Sequence, residues 1–288
     1  MSLVSISDLN GPQQHVVELI GVAKQLSDIY DDFLLLEQKD EGNRAPGIHA
    51  SELYPCLRKA VYSVMGTEKK PMVPKFWLQR FKVGTAVHGM LQNDFHRMAK
   101  RSQKREVMRI LEGAAEELDL DIYFEDEAKV HPDLQPLAAQ YQIHSSSDGI
   151  FTFVSRDAGE IILRVGLEIK TASPDEYKDL KGPKPEHIRQ AHIYMACLDL
   201  PLMWFFYMNK GNQNNTNSRA PFLVVWQPQI WAEAEDRIKT VLNLVASGQI
   251  PARYESPICE FCPWSWTCGP SRMHSNRPNP FTRNSILR

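Results

Sequence analysis

A chain of 288 residues, 43% hydrophobic and 9% aromatic, is long enough for one large domain with a full core. Its formal net charge of −2 excludes a uniformly basic nucleic-acid coat, so any nucleic-acid contact has to come from a local patch. No run reaches the roughly 20 apolar residues that cross a bilayer, and MSLVSISDLNGPQQ lacks the basic start and apolar block of a secretion signal, so the expectation is a soluble, cytoplasmic protein with no membrane partner.

Residues 12 to 37 read as an amphipathic helix, with Val16, Leu19, Ile20, Ala23, Leu26, Tyr30 and Phe33 at helical spacing. GNRAPG is a loop, and Ser51 is placed to cap a helix running through Cys56 to about Met65. EKKPMVPKFWLQRFK is basic and aromatic and is broken by Pro71 and Pro74. A helix then runs from about Lys75 to Leu118, with a break allowed inside it. It carries Gly84 and His88, and later a basic patch of Lys100, Arg101, Lys104 and Arg105.

The period then switches from helical to alternating. DIYFEDEAKV, IHSSSDGIFTFV, EIILRVGLEIKTA, LMWFFYMNK and APFLVVWQ read as strands. A helix from about Pro185 to Leu198 separates the third from the fourth, GNQNNTNS turns between the last two, and a helix from about Pro228 to Ala246 follows. This order predicts an α/β fold with a mixed central sheet flanked by helices. One domain over 1–288 is expected, with a helical extension over 1–45, a core over 46–250, a cysteine segment over 251–270 and a basic tail over 271–288.

The cysteines are unevenly placed. Cys259, Cys262 and Cys268 crowd into ICEFCPWSWTC, Cys56 sits in YPCLRKAVY, and Cys197 lies on an apolar helix face and reads as core. Three thiolates in one loop call for a fourth ligand, and Cys56 is the candidate. On spacing alone a [4Fe–4S] cluster and Zn²⁺ fit equally. Trp264 and Trp266 read either as a shield for that site or as routine packing.

GLEIKTA puts Glu168 and Lys170 on one face of a strand that should be filling a core. Buried charge is costly unless compensated. Such a pair is either an exposed ion pair of little worth or part of a metal site in which the carboxylate binds a hard cation and the lysine handles water. Asp148, in the preceding strand segment, favours the second reading, because adjacent strands would bring all three groups to one sheet edge. Gly84 and His88 share a helix face, as do Gln190 and Tyr194; the first glycine would let the helix approach the sheet.

The ordered set Gly84-x3-His88, Asp148-Gly149, Glu168-x-Lys170 and Gln190-x3-Tyr194 resembles the RecB-like branch of the PD-(D/E)XK nuclease superfamily over about residues 46 to 270. CRISPR-associated RecB-like exonucleases, their phage relatives and the AddB nuclease domain share this pattern. The resemblance implies a restriction-endonuclease-like core and a Mg²⁺- or Mn²⁺-dependent deoxyribonuclease. It implies metal binding by His88, Asp148, Glu168 and the Ile169 carbonyl, catalysis by Asp148, Glu168 and Lys170, and DNA contact by Gln190 and Tyr194. It also implies an iron–sulfur staple on Cys56, Cys259, Cys262 and Cys268, ahead of zinc, and single-stranded DNA cleaved with 5′ to 3′ polarity. Relatives often have a glycine and a basic residue shortly before the aspartate. Here stand Ser145, Ser146 and Ser147, which puts local DNA contacts in question but not the metal site.

The basic, aromatic stretch from Lys69 to Lys82 offers a strand path, with Trp77 for stacking and Arg80 for phosphate, or else the buried face of a helix. Recombination, repair, phage DNA metabolism and CRISPR adaptation all fit. The alternative is a DNA-end binding or scaffolding subunit of a helicase–nuclease or integration complex, with a helicase or integrase as partner. The intact Asp148, Glu168 and Lys170 argue against a dead site.

Overall fold

The computed structural model describes residue 29 and residues 44–70, 75–102, 120–211, 219–256, 259 and 262–269. Apart from residue 29, the expected helix over 12–37 lies outside the described residues, as do Pro71 and Pro74, the far part of the long helix with Lys104 and Arg105, and the basic tail.

The elements in chain order are α1 (Ala50–Leu53), α2 (Leu57–Val64), α3 (Lys75–Ser102), β1 (Leu120–Asp126), β2 (Lys129–Val130), α4 (Pro136–Tyr141), β3 (Ser145–Ser146), β4 (Gly149–Ser155), β5 (Ile161–Ala172), α5 (Pro174–Lys178), α6 (Pro185–Leu198), β6 (Leu202–Asn209), β7 (Arg219–Val225), α7 (Pro228–Ala246) and α8 (Ser265–Cys268). Five strands form one mixed sheet in the order β1-β4-β5-β6-β7, and β2 and β3 pair separately. Only β5 and β6 run parallel, with α6 as their crossover; the other neighbours are antiparallel.

Helices cover both faces of the sheet, and this explains the near-continuous apolar strands. Leu91, Phe95 and Ala99 of α3 pack on Val165, Leu167, Ile169, Phe206 and Met208. Phe95 lies 5.5–5.7 Å from the rings of Phe124, Phe151, Trp204 and Phe206, a cluster of edge-on and tilted contacts. On the other face Ala191, Ile193 and Met195 of α6 join Met203, Phe205 and Tyr207. The α3 face of β5 takes its odd-numbered residues, so Glu168 and Lys170 turn toward α6.

The N-terminal helix differs from expectation. His49, not Ser51, is the N-cap, and the helix stops after Leu53. Tyr54 keeps helical backbone as the C-cap, but Pro55 after it donates no N–H to continue the helix. Cys56 is then extended and caps a second helix, α2. Arg237 of α7 closes the break: its Nε donates to the Leu53 carbonyl at 2.9 Å and its Nη2 to that of Tyr54 at 3.4 Å. The Tyr54 ring has Arg189 at 5.3 Å and Arg237 at 5.7 Å, so two cations brace the turn that presents Cys56.

A second seam joins distant segments. Trp264 Nε1 donates to the Thr67 carbonyl at 2.9 Å, Trp266 Nε1 to that of Glu68 at 3.2 Å, and the Lys70 N–H to that of Pro263 at 2.9 Å. Lys69 sits over Trp264 and Lys70 over Trp266, 5.0 and 4.3 Å from the ring centroids. Trp264 is fully buried and Trp266 is exposed. The two tryptophans therefore stitch the segments together.

Candidate active site and cysteine cavity

Asp148 stands at the turn into β4 and is held from several directions. Its N–H donates to the Leu167 carbonyl at 3.1 Å, and its carbonyl accepts from Glu127 N at 3.3 Å and from Gln92 Nε2 at 2.8 Å. Its Oδ1 lies 3.0 Å from His88 Nδ1, and its Oδ2 accepts the Ile169 N–H at 2.6 Å. His88 and Gln92 are one turn apart on α3, so a single helix face grips both the side chain and the backbone of Asp148. The N–H and carbonyl of one strand residue project to the same side, so the Ile169 carbonyl also faces Asp148, beyond the end of the β4 ladder.

Gly149 is needed here. A Cβ on it would fall 2.5 Å from the Phe124 ring and 2.8 Å from the Glu125 carbonyl. Gly84 is less constrained: a Cβ there would meet only Thr171 Oγ1, at 3.9 Å, an ordinary contact. The expected close approach of α3 thus does not require a glycine at 84.

Glu168 is 4% exposed. Its Oε1 accepts from Lys170 Nζ at 2.5 Å and from Gln190 Nε2 at 3.1 Å. Gln190 Nε2 also donates to the Tyr194 hydroxyl at 2.7 Å, and Gln190 Oε1 accepts from Lys170 Nζ at 3.4 Å. Gln190 and Tyr194 are themselves buried. Both line the cleft, and Gln190, backed by Tyr194, holds the Glu168–Lys170 pair from α6. Behind Lys170, Tyr207 on β6 pairs with His187, its hydroxyl 2.6 Å from Nδ1. Burial first, then Lys170 and Lys184, push the His187 imidazole down to about 3, so it is a neutral acceptor.

Burial pushes the Glu168 carboxyl up to about 7, against the pull of Lys170. The folded state therefore keeps this proton to higher pH than the unfolded chain, where a glutamate titrates near ~4.3. Stability that this protonation confers is lost as pH rises across that window. Metal-free protein should lose urea stability between pH 5 and 8 more steeply than its Glu168→Gln variant. Parallel curves for the two would refute it.

His88, Asp148 and Glu168 line one open cleft together with Gln190 and Tyr194. Among the described residues, no three His, Cys, Asp or Glu side chains stand in a ready-made coordination arrangement. The donors nonetheless suit a hard divalent ion: two carboxylates and an imidazole converge, and the second oxygen of Glu168 makes no hydrogen bond among the described residues. Trp77 and Arg80 lie on the first turns of α3, and their side chains fall outside the described residues. Phe81 is 53% exposed, which removes it from the buried-face reading of that stretch.

Cys56, Cys259, Cys262 and Cys268 line one small cavity with Arg58, Lys59, Arg253, Trp264 and Ser265, and all four are free thiols. Burial pushes the Cys262 thiol up, with Cys56 and Cys259 adding to it. The Ser265 hydroxyl is buried without a partner among the described residues. Four thiols, three cations and an orphan donor suit an anionic thiolate-bound centre. Cys197 is buried in the apolar core, its thiol pushed up to about 12 by burial.

No protein-family model matches this sequence, and no curated protein matches it. Solved structures do. The structure of SSO0001 is 14% identical, covering 85% of this chain and 96% of its own, with a TM-score of 0.41. LHK-Exo, an alkaline exonuclease from Laribacter hongkongensis, is 14% identical, covering 71% of this chain and 90% of its own, with a TM-score of 0.43. LHK-Exo in complex with dAMP gives a TM-score of 0.44 at the same identity and coverage.

Sequence reasoning missed Gln92, although its spacing of four from His88 was a readable signal. It also missed the cleft's outer wall, where Arg44, His49, Lys129, His131 and His144 lie. No helix among the described residues is long and apolar enough to cross a membrane.

Proposed function

We propose that this chain is a metal-dependent deoxyribonuclease, an exonuclease acting on single-stranded DNA with 5′ to 3′ polarity, and that its cysteine cavity takes a [4Fe–4S] cluster. The observation that carries the reading is the meeting of His88, Asp148 and Glu168, from α3, the β4 turn and β5, at one open cleft, with Lys170 bonded to Glu168 behind it. Substrate and polarity rest on the resemblance of the ordered motifs, as do Trp77 and Arg80 as strand contacts.

His88, Asp148, Glu168 and the Ile169 carbonyl are the groups that would hold Mg²⁺ or Mn²⁺. When bound, such an ion neutralises charge on a phosphate and lowers the pKa of a water molecule. The chain's own groups do the rest. Asp148 is oriented by His88 and the Ile169 N–H. Lys170, fixed by Glu168 and Gln190, presents an ammonium beside the carboxylates, where it holds a water in place and offsets developing charge. Burial of Glu168 keeps bulk water away from these contacts and strengthens them.

The direct test is incubation of the full-length protein with 5′- and 3′-labelled single- and double-stranded DNA in Mg²⁺ or Mn²⁺. Short labelled products from the 5′ end of single strands are expected, and none with EDTA. DNA bound but uncut in every metal would overturn the nuclease in favour of a DNA-end scaffold, and a helicase or integrase partner would then be sought.

A further inference from the structure

The cleft extends past the carboxylates to a wall that the reaction above does not use. The wall is laid side by side from the segment around Ile48, which bridges to Ile143, from β3, and from β2, which pairs with β3. Ile48 N donates to the Gln142 carbonyl and His144 N to that of Ile48, both at 2.8 Å. Lys129 lies opposite Ser146. The run Ser145–Ser147 carries no cation, and the neighbouring strand supplies one.

On this wall three imidazoles stand in a row. The His144 ring is 4.8 Å from that of His131 and 6.3 Å from that of His49. Space for His144 is made by Gly47, where a Cβ would fall 2.3 Å from His144 Cδ2. His131 Nδ1 accepts the Asp133 N–H at 3.2 Å, which leaves its Nε2 as a donor. The His144 ring makes no hydrogen bond among the described residues. Arg44 lines the same cleft. His49 Nε2 is engaged by the Ala45 carbonyl at 3.0 Å, and His131 Nδ1 also lies 3.4 Å from Asp133 Oδ2. Buried imidazoles packed only for structure have their ring nitrogens satisfied by the protein; the His144 ring does not, and it lines a cleft that also holds Asp148 and Glu168.

We propose that His49, His131 and His144, with Arg44 and Lys129, form a phosphate subsite that holds a backbone phosphodiester of the DNA strand next to the one at Asp148, and that its grip tightens as the pH falls. The proposal rests on the nuclease reading. Burial lowers the His144 imidazole, and His131 and His49 lower it further, against Asp133. Burial also lowers His49, with Arg44 and Lys69 adding to it against Glu52 and the Ala45 carbonyl. Both are neutral in the free protein near pH 7. A phosphate between them favours the protonated forms, so binding takes up protons. Affinity therefore rises as the pH falls through the ordinary histidine range near ~6.5.

The test is anisotropy of a labelled single-stranded oligodeoxynucleotide on the full-length protein in EDTA, from pH 8 to pH 6, repeated for every form in a Glu168→Gln background, which removes the cleft carboxyl that itself titrates near 7. Wild type should bind about tenfold tighter at pH 6, one proton's worth of linkage. His144→Gln and His131→Gln should lose most of that slope, while binding at pH 8 stays within about twofold. In Mg²⁺ these variants should raise KM for DNA and leave kcat unchanged. His131, at the rim, is the safer variant if His144→Gln does not fold. Variants that keep the wild-type slope would overturn the subsite even if the protein cuts DNA. Wild type that neither binds nor cuts DNA would overturn the nuclease reading and the subsite with it.

Discussion

Lys170→Ala should lose DNA cleavage by about 10²–10⁴-fold, the range for removing a positioned proton-handling group, while keeping DNA binding. The ammonium stands 2.5 Å from Glu168 Oε1 and 3.4 Å from Gln190 Oε1, so it is held in one place before any substrate arrives. Deleting one partner of a buried ion pair costs about 3–5 kcal/mol when the other charge is stranded. Glu168 escapes most of that penalty, because burial already pushes its carboxyl up to about 7 and removal of Lys170 raises it further. The variant should therefore fold at neutral pH with Glu168 protonated. Circular dichroism and DNA binding report the fold, and a single-turnover assay reports the chemistry. Unfolding of Lys170→Ala, or cleavage within tenfold of wild type, would defeat this account. Lys170→Arg should not rescue, since a planar guanidinium cannot replace a compact ammonium between a carboxylate and an amide oxygen.

Cys56→Ala should release the bound metal and lower the melting temperature sharply. Its thiol comes from the N-terminal turn braced by Arg189 and Arg237, and its three partners come from the C-terminal segment. A centre held by all four closes most of the chain into one loop. Chain entropy values such a cross-link at about 5 kcal/mol. At about 2–4 °C per kcal/mol for a chain of this size class, the drop should be about 10–20 °C. Iron and zinc analysis of anaerobically purified protein separates the two occupants: iron with inorganic sulfide and a broad visible absorbance supports the cluster, and stoichiometric zinc refutes it. A Cys197→Ala control should keep the metal, since Cys197 lies in the core away from the cavity. Loss of metal from Cys197→Ala but not from Cys56→Ala would reverse the ligand assignment.

Some features were written in local chemistry. Pro185 and Pro228 open α6 and α7 at the first helical position, so both helices begin where the prolines stand. Glu168 and Lys170 share a face because side chains alternate along a strand, and β5 keeps that alternation. Other local signals were overlooked. Ser173-Pro174-Asp175-Glu176 is a capping box, and it opens the unexpected helix α5. Pro136 similarly opens α4, at the first helical position. Pro55 outweighed Ser51 as the determinant of the first helix.

What sequence could not supply was non-local. Whether Gln190 faces solvent or Glu168 depends on how α6 seats on β5, and no pattern within α6 says so. The three imidazoles of the cleft wall come from positions 49, 131 and 144, joined only because residues 45–49 pair alongside 142–146. The opposite fates of Trp264 and Trp266 were likewise set by which of them met Thr67 and Tyr62.

The seam between residues 67–70 and 263–266 has a consequence for how the chain is made. Translation delivers Cys56 and the 67–70 edge first, and the sheet, α6 and α7 follow before the matching tryptophans and cysteines exist. Until then an early thiol and a row of unpaired carbonyls wait on a nascent chain. Closure has to wait for the cysteine segment, so a ribosome that stops short of it releases a sheet whose seam was never joined.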